Sequence, residues 1–378
     1  ERKYLKQSGL TRDETNIGNV IRCRVKGSND LPKITERKVR DAIAHCQRAY
    51  FKPPEGTRVI VSQGAYSLYG LTGESDVDSW RGFALDMATS RHLTEPYVPV
   101  LGRDVPVLAT VHTARLFRDP TLTLATLADW AKLARLLAGT WPRKPPAFDT
   151  TPPHTWPRKF AFDTEYDRST KWLQRWSAAW RSHGQPKVHV VEARDSRPPW
   201  FEDVHKLPTV VSQYTPADMQ HLARVSGRRW QDFTVEDSVW KHSTLYSDHP
   251  HDLNYLGSIW SSMNRWKHLS SVDPTLYAGC DAWGLWEIDE ALEGELNRDP
   301  KSRYVWEEID RPAIPWFVEA QYRGLRVNGG RLAEVVQQLN GEATDAQRRA
   351  MAIAGWPLKL SSPAQVAARL FGVERLRA

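Results

Sequence analysis

The chain has 378 residues, 40% of them hydrophobic, enough for two or three cored domains and too apolar for an extended disordered chain. Lys and Arg number 52 against 45 Asp and Glu, a net +7 with a pI near 9.2, which suits a polyanionic partner without requiring one. Three irregularly spaced cysteines exclude a disulfide framework and point to a reducing, cytoplasmic setting, and no apolar run at a mean hydropathy of −0.56 reaches the length of a membrane span.

Residues 1–138 read as alternating short strands and helices. Strands are expected over Ile17–Cys23, Arg58–Ser62 and Val105–Val111, and helices over Thr35–Tyr50, Ala65–Tyr69 and Leu124–Leu137. That alternation predicts a parallel sheet covered on both faces, an α/β class. Residues 139–157 hold Pro142, Pro145, Pro146, Pro152, Pro153 and Pro157 and read as an extended linker. From 158 to 300 a second α/β region has strands at Phe160–Asp163, Val188–Val191 and Thr209–Ser212, and helices at Pro216–Val225, Leu253–Trp260 and Asp281–Leu292. Residues 301–378 read as helical, with Ser362 as N-cap, Pro363 at N1, Gln365 at N3 and Gly372 closing the last helix. The first residue is Glu, with neither initiator Met nor signal-peptide pattern, so the chain reads as cut from a longer one.

The most informative residues are Asp163-Thr164-Glu165. Two carboxylates at i and i+2 on an extended segment project to one side, a placement suited to two divalent cations acting on a phosphodiester. The bland alternative is a strand end with two solvated acids. A near-repeat supplies a control: Thr140-Trp141-Pro142-Arg143-Lys144 with Ala147-Phe148-Asp149-Thr150 matches Thr155–Lys159 with Ala161–Thr164, but has Thr151 where the second copy has Glu165. Asp149 therefore reads as linker. Downstream, Tyr277 precedes Asp281 by one helical turn.

Together these residues resemble the first and third motifs of the 3′→5′ proofreading exonuclease domain of family A DNA polymerases. The resemblance implies a ribonuclease H-like domain over 158–300 in which Asp163, Glu165, Asp218 and Asp281 hold two Mg²⁺ or Mn²⁺ ions and Tyr277 orients the attacking water. Asp218 is preferred to Asp252 for the second motif, because it stands 55 residues after Asp163 and 63 before Asp281, whereas Asp252 stands only 29 before Asp281. Asp218 also has a bland reading, as the N3 acid of a capping box with Thr215. Gln213 stands near the place of the family's usual Asn. Glu236-Asp237-Ser238 resembles the pair that follows the second motif, and Arg265-Trp266-Lys267-His268 is similar to a stretch of phage-type enzymes, implying DNA contacts by Lys267, His268 and Gln213.

Residues 1–138 resemble a uracil-DNA glycosylase, truncated at its start, through Asn19–Arg24, Ser62-Gln63-Gly64-Ala65 and His112-Thr113-Ala114 with Arg118. The implied uracil-pocket residues are Asn19 and His112. The departures Thr113-Ala114 and the missing first motif imply a degenerate domain that does not excise uracil. Cys23 and Cys46 match two of four iron–sulfur ligands in one branch, too few to hold a cluster. Pro312–Glu319, Tyr322–Asn328 and Ser361–Gly372 resemble the start of the family A polymerase module; its palm acids are not in this chain. The expectation is a proofreading exonuclease region from a phage, working on DNA ends in the host cytoplasm during DNA replication, with replication proteins as possible partners and no membrane. Two alternatives stay open: a non-catalytic nucleic-acid-binding appendage, or an RNase D-like RNA exonuclease.

Overall fold

A computed structural model describes residues 2–22, 32–50, 53–86, 105–153, 155–167, 169–170, 172–193 and 208–372. The chain forms two compact units, Glu1–Tyr322 and Arg323–Ala378, and the first contains the two sheets found among the described residues.

The first sheet follows helices α1 (Arg2–Gln7) and α2 (Arg37–Tyr50). Strand β1 (Ile60–Gln63) leads through Gly64 into α3 (Ala65–Thr72), and α4 (Val77–Trp80) precedes β2 (Ala84–Asp86) and β3 (Pro106–Thr110). Gly64 has φ 92°, and a Cβ there would stand 3.3 Å from the His112 Cβ, so the turn is built for glycine. The strand order is β1-β3-β2, with β1 parallel and β2 antiparallel to β3. The expected parallel sheet is thus corrected: β3 is parallel to β1 but antiparallel to β2, and an antiparallel neighbour does not require a crossover connection. No strand forms over residues 17–22, which run as irregular backbone with Asn19 exposed; Cys23 and Arg24 lie outside the described residues. Helix α5 (Thr123–Leu137) closes this region through Trp130 and Leu133.

The described residues of the Pro-rich segment form no helix and are docked on the neighbouring elements. Trp141 is buried beside Trp130, and Asp149 pairs through its backbone with Val188 and Val190.

The second sheet takes β4 (Lys159–Tyr166), β5 (Leu173–Ser182), β6 (Gln185–Glu192), β7 (Thr209–Ser212) and β8 (Thr234–Asp237) in the order β6-β5-β4-β7-β8. Strand β5 is antiparallel to both of its neighbours, β4 and β6; β7 is parallel to β4 and β8 to β7. Alternation along β4 divides two cores. Ala161, with Ala179 and Val211, packs under α8 (Leu253–Trp260) and α9 (Pro274–Arg298). Phe160 and Phe162 pack on the other face against Met219 and Leu222 of α6 (Thr215–Ser226). Helix α7 (Ser238–Leu245) begins at Asp237, whose carboxylate caps it and also accepts from Thr215 N at 2.8 Å.

Helix α9 starts at Pro274 under an Asp273 cap, not at Asp281. Asp281 therefore sits two turns inside the helix. Helices α10 (Pro300–Val305) and α11 (Arg311–Arg323) follow. The second unit holds α12 (Gly329–Ala354) and α13 (Pro363–Phe371), the latter capped by Ser362 as its sequence predicts.

Candidate metal centre

Strand β4 and helix α9 make the site. Ala161 faces α9, so Asp163 and Glu165, two and four residues on, project toward the same helix. The register with β5 shifts between Glu165 and Tyr166, so the regular ladder ends at this point. Asp281 comes from the middle of α9. One carboxylate oxygen each from Asp163, Glu165 and Asp281 lies within 4.8 Å of the others.

The electrostatics follow from crowding. Burial, then the charges of Asp281, Asp218 and Glu165, hold the Asp163 carboxyl well above the usual carboxylate range. Its Oδ2 is buried without a hydrogen-bond partner among the described residues. A cation would supply the charge these groups lack, and a set made only of carboxylate oxygens suits Mg²⁺ or Mn²⁺ better than a soft metal. The donor set therefore fits the expected ions.

Asp281 is 3% exposed and its Oδ1 receives two donors, Trp266 Nε1 at 2.5 Å and Lys267 Nζ at 2.7 Å. Lys267 Nζ also reaches the Tyr277 hydroxyl at 3.1 Å. Tyr277 and Asp281 are neighbours one turn apart on α9, as their spacing predicts. Burial, then Asp281, raises the Tyr277 phenol far above its ordinary range, so it keeps its proton.

Asp218 is placed differently. It lies on α6, on the opposite face of β4, where its Oδ1 accepts from Thr164 Oγ1 at 2.7 Å. Burial pushes it up to about 7 against the lowering effect of that bond. It is coupled by charge to Asp163 and Glu165 but is not one of the three clustered acids. The capping box weighed for Asp218 does not form: Tyr214 is the N-cap, without a side-chain cap bond.

Gln213 is engaged on both sides of its amide, donating to His251 O at 2.7 Å and accepting from Ser238 Oγ at 2.5 Å. His268 is exposed, and partial desolvation with the charge of Arg265 lowers its basicity. Asp252 caps α8, and Asp149 sits on the β6 edge with its carboxylate 68% exposed. The near-repeat thus diverges in space as it does at Thr151.

Trp266 was not singled out in the sequence. Its indole fills a slot where a Cβ on Gly257 or Gly284 would stand 2.6 or 2.8 Å from the ring. The Gly257 and Gly284 positions, on two helices that meet at Trp266, are the signal that sequence alone could not connect.

The segment carrying Trp266 and Lys267 is also fastened to the first sheet region. Arg81 binds Asp129 at 2.6 Å and Ser258 Oγ at 2.8 Å, and Lys132 Nζ donates to Ser258 O at 2.7 Å and Gly82 O at 3.0 Å. The Asn264 amide brackets Ala84, donating to its carbonyl at 2.7 Å and accepting from its N–H at 3.1 Å.

At the first sheet, Asn19, Gln63, Gly64 and His112 line one cavity of about 1630 Å³, far wider than a pocket shaped to one base. His112 is spent locally: its Nδ1 accepts from Ala114 N at 3.1 Å and caps the short 3₁₀ turn Thr113–Phe117. Cys46 is a buried free thiol.

Among the described residues no helix is long and apolar enough to cross a membrane. No protein-family model and no curated protein matches the chain. Among solved structures it is similar to Brucella melitensis NrnC, at 20% identity over 44% of this chain and 86% of that one, with a TM-score of 0.36. Similarity at that level decides neither fold nor function.

Proposed function

We propose that residues 158–300 form a ribonuclease H-like, divalent-metal-dependent 3′→5′ DNA exonuclease, the proofreading region of a phage-type family A DNA polymerase that releases nucleoside monophosphates. In the same reading residues 1–138 are a degenerate glycosylase-like domain, 139–157 a linker and 301–378 the start of the polymerase module. The observation that carries the proposal is the convergence of Asp163, Glu165 and Asp281 within 4.8 Å from a strand and a facing helix. The sheet, with its antiparallel β4–β5–β6 core and parallel β7 and β8, supports the domain reading.

Asp163, Glu165 and Asp281 would hold two Mg²⁺ or Mn²⁺ ions, while Asp218, on the other face of β4 and bonded to Thr164, would act on the centre through its charge and not as a ligand. Such ions supply an activated water and neutralise charge on the leaving 3′ oxygen. The neutral Tyr277 phenol can orient that water through a hydrogen bond. Lys267, bonded to Asp281, and its chain neighbour His268 would serve as phosphate contacts.

The test is digestion of a 3′-labelled single-stranded oligonucleotide with Mg²⁺. Cleavage by the chain, abolished in Asp163→Ala plus Glu165→Ala, is expected; undiminished cleavage by that double variant would sink the assignment. Matched DNA and RNA substrates separate this reading from an RNase D-like exonuclease.

One observation favours a second reading, a non-catalytic nucleic-acid-binding appendage: an ammonium, that of Lys267, already neutralises Asp281. Salt-sensitive DNA binding without Mn²⁺ binding would support it. For residues 1–138 we infer no uracil excision. A uracil-containing oligonucleotide incubated in EDTA and treated with alkali should stay intact, and a break lost in Asn19→Ala would overturn that reading.

A further inference from the structure

On the reading of the carboxylate cluster as a metal centre, we propose that Lys267 is a resident counter-ion of Asp281 that a divalent cation must displace, and that its freed ammonium then holds a phosphate of the bound strand. Lys267 acts as a positioning residue in this scheme, exchanging one anionic partner for another.

The two donors on Asp281 Oδ1 differ in freedom. Trp266 is 3% exposed and wedged against Gly257 and Gly284, so its N–H stays where it is and fixes the carboxylate plane. Lys267 is 25% exposed, and its ammonium reaches Asp281 on a flexible four-carbon stem. It lies 5.0 Å from the Tyr277 ring centre and 6.0 Å from that of Trp266, a loose aromatic setting from which it can swing outward.

The carboxylate it occupies is one of the three-carboxylate group. An ammonium 2.7 Å from its Oδ1 and a divalent cation shared by the same acids repel each other strongly at such separations. The cation therefore binds against Lys267 when no strand is present. When a strand binds, its phosphate offers the ammonium a new partner, and a compact point charge suits that role. Loading of metal and of strand thus favour each other. Without nucleic acid, Lys267 keeps the buried acids partly neutralised.

The test reads Mn²⁺ binding to the full chain without nucleic acid, by the paramagnetic resonance signal of free Mn²⁺. Lys267→Met should bind Mn²⁺ about tenfold more tightly than the wild type, because the competing charge is gone and the lost ion pair was partly exposed. Lys267→Arg keeps the charge and should stay within about twofold of wild type. At saturating Mn²⁺ the Met variant should still degrade a single-stranded 3′ end with a raised KM. If wild-type binding is real, being lost in Asp163→Ala plus Glu165→Ala, yet Lys267→Met binds no more tightly, this inference fails and the metal centre stands. If neither wild type nor Lys267→Met binds Mn²⁺, the metal-centre reading itself fails, and the inference with it.

Discussion

The two sheets of the first unit present polar side chains in different ways. At the second sheet the acids are set by regular elements: Asp163 and Glu165 by alternation on β4, Asp281 by the interior of a helix capped two turns earlier. At the first sheet the comparable groups sit on irregular backbone. Asn19 is exposed on a segment with no strand, and His112 spends its Nδ1 on the adjoining 3₁₀ turn. The difference shows what a site of this kind requires: opposed rigid elements that force unfavourable charges together, not residue types alone.

The largest expected effect sharpens that contrast directly. Asp281→Ala should lower metal-dependent hydrolysis by about three orders of magnitude or more, as for loss of a group holding the catalytic ions. Asn19→Ala should leave hydrolysis within about twofold, an ordinary exposed-site change. Equal losses in single-turnover assays would erase the distinction between the sheets.

The next effect concerns the joint between them. Arg81 is 2% exposed and pairs with Asp129, itself fully buried. Arg81→Met strands that carboxylate, and the cost should be about 3 kcal/mol in urea unfolding. Because Arg81 and Lys132 both bind Ser258 on α8, the loss should also loosen the Trp266–Lys267 segment. Amide exchange around 261–267 that stays slow in the variant would show that the second sheet holds its site unaided.

A smaller effect is expected at Gly284. A Cβ there would meet the Trp266 indole at 2.8 Å, so Gly284→Ala should cost about 1–3 kcal/mol of stability through overpacking. Hydrolysis should fall as the indole N–H leaves Asp281. Full activity at reduced stability would make Trp266 a packing residue only.

The last is a pH effect confined to the second sheet region. His242 is fully buried, its Nδ1 2.5 Å from Nδ1 of His251. Burial, then His251 and His249, lowers it from 6.5 to about 3. Its folded value is depressed, so the unfolded chain binds the extra proton; the stability is full above pH 6.5 and is lost as pH falls toward 3. The melting temperature should therefore drop across that window, less steeply in His242→Phe. Hydrogen exchange should quicken in α7 before β1, and the reverse order would count against this assignment.

Much of this arrangement is legible in the sequence, for reasons that differ by element. Strand β7 and helix α8 have the expected bounds because apolar runs and an Asp cap mark them. The last helix was legible from Ser362, Pro363 and Gly372 alone. Strand β5 was not, because its centre is Ser177-Ala178-Ala179, buried residues kept small where helices cover both faces and poor in the β-branched signal of a strand. Strand β8 is four residues with two acids, and Glu236 is tolerable there because Lys159 and Lys241 each bind it at 2.7 Å. The start of α9 was misplaced because its true cap, Asp273-Pro274, precedes the residues that drew attention. For the candidate site, the alternation that joins Asp163 to Glu165 is local and readable. The face of β4 that Asp218 approaches depends on how α6 packs, and no local pattern states it.

The central claim is that Asp163, Glu165 and Asp281 form a metal centre. It is tested most directly by anomalous scattering from a crystal of the chain soaked in Mn²⁺. Two Mn²⁺ ions are predicted, ligated by these three carboxylates, with the Lys267 ammonium withdrawn from Asp281. An empty cluster in a fully soaked crystal, with Lys267 still bound to Asp281, would contradict it.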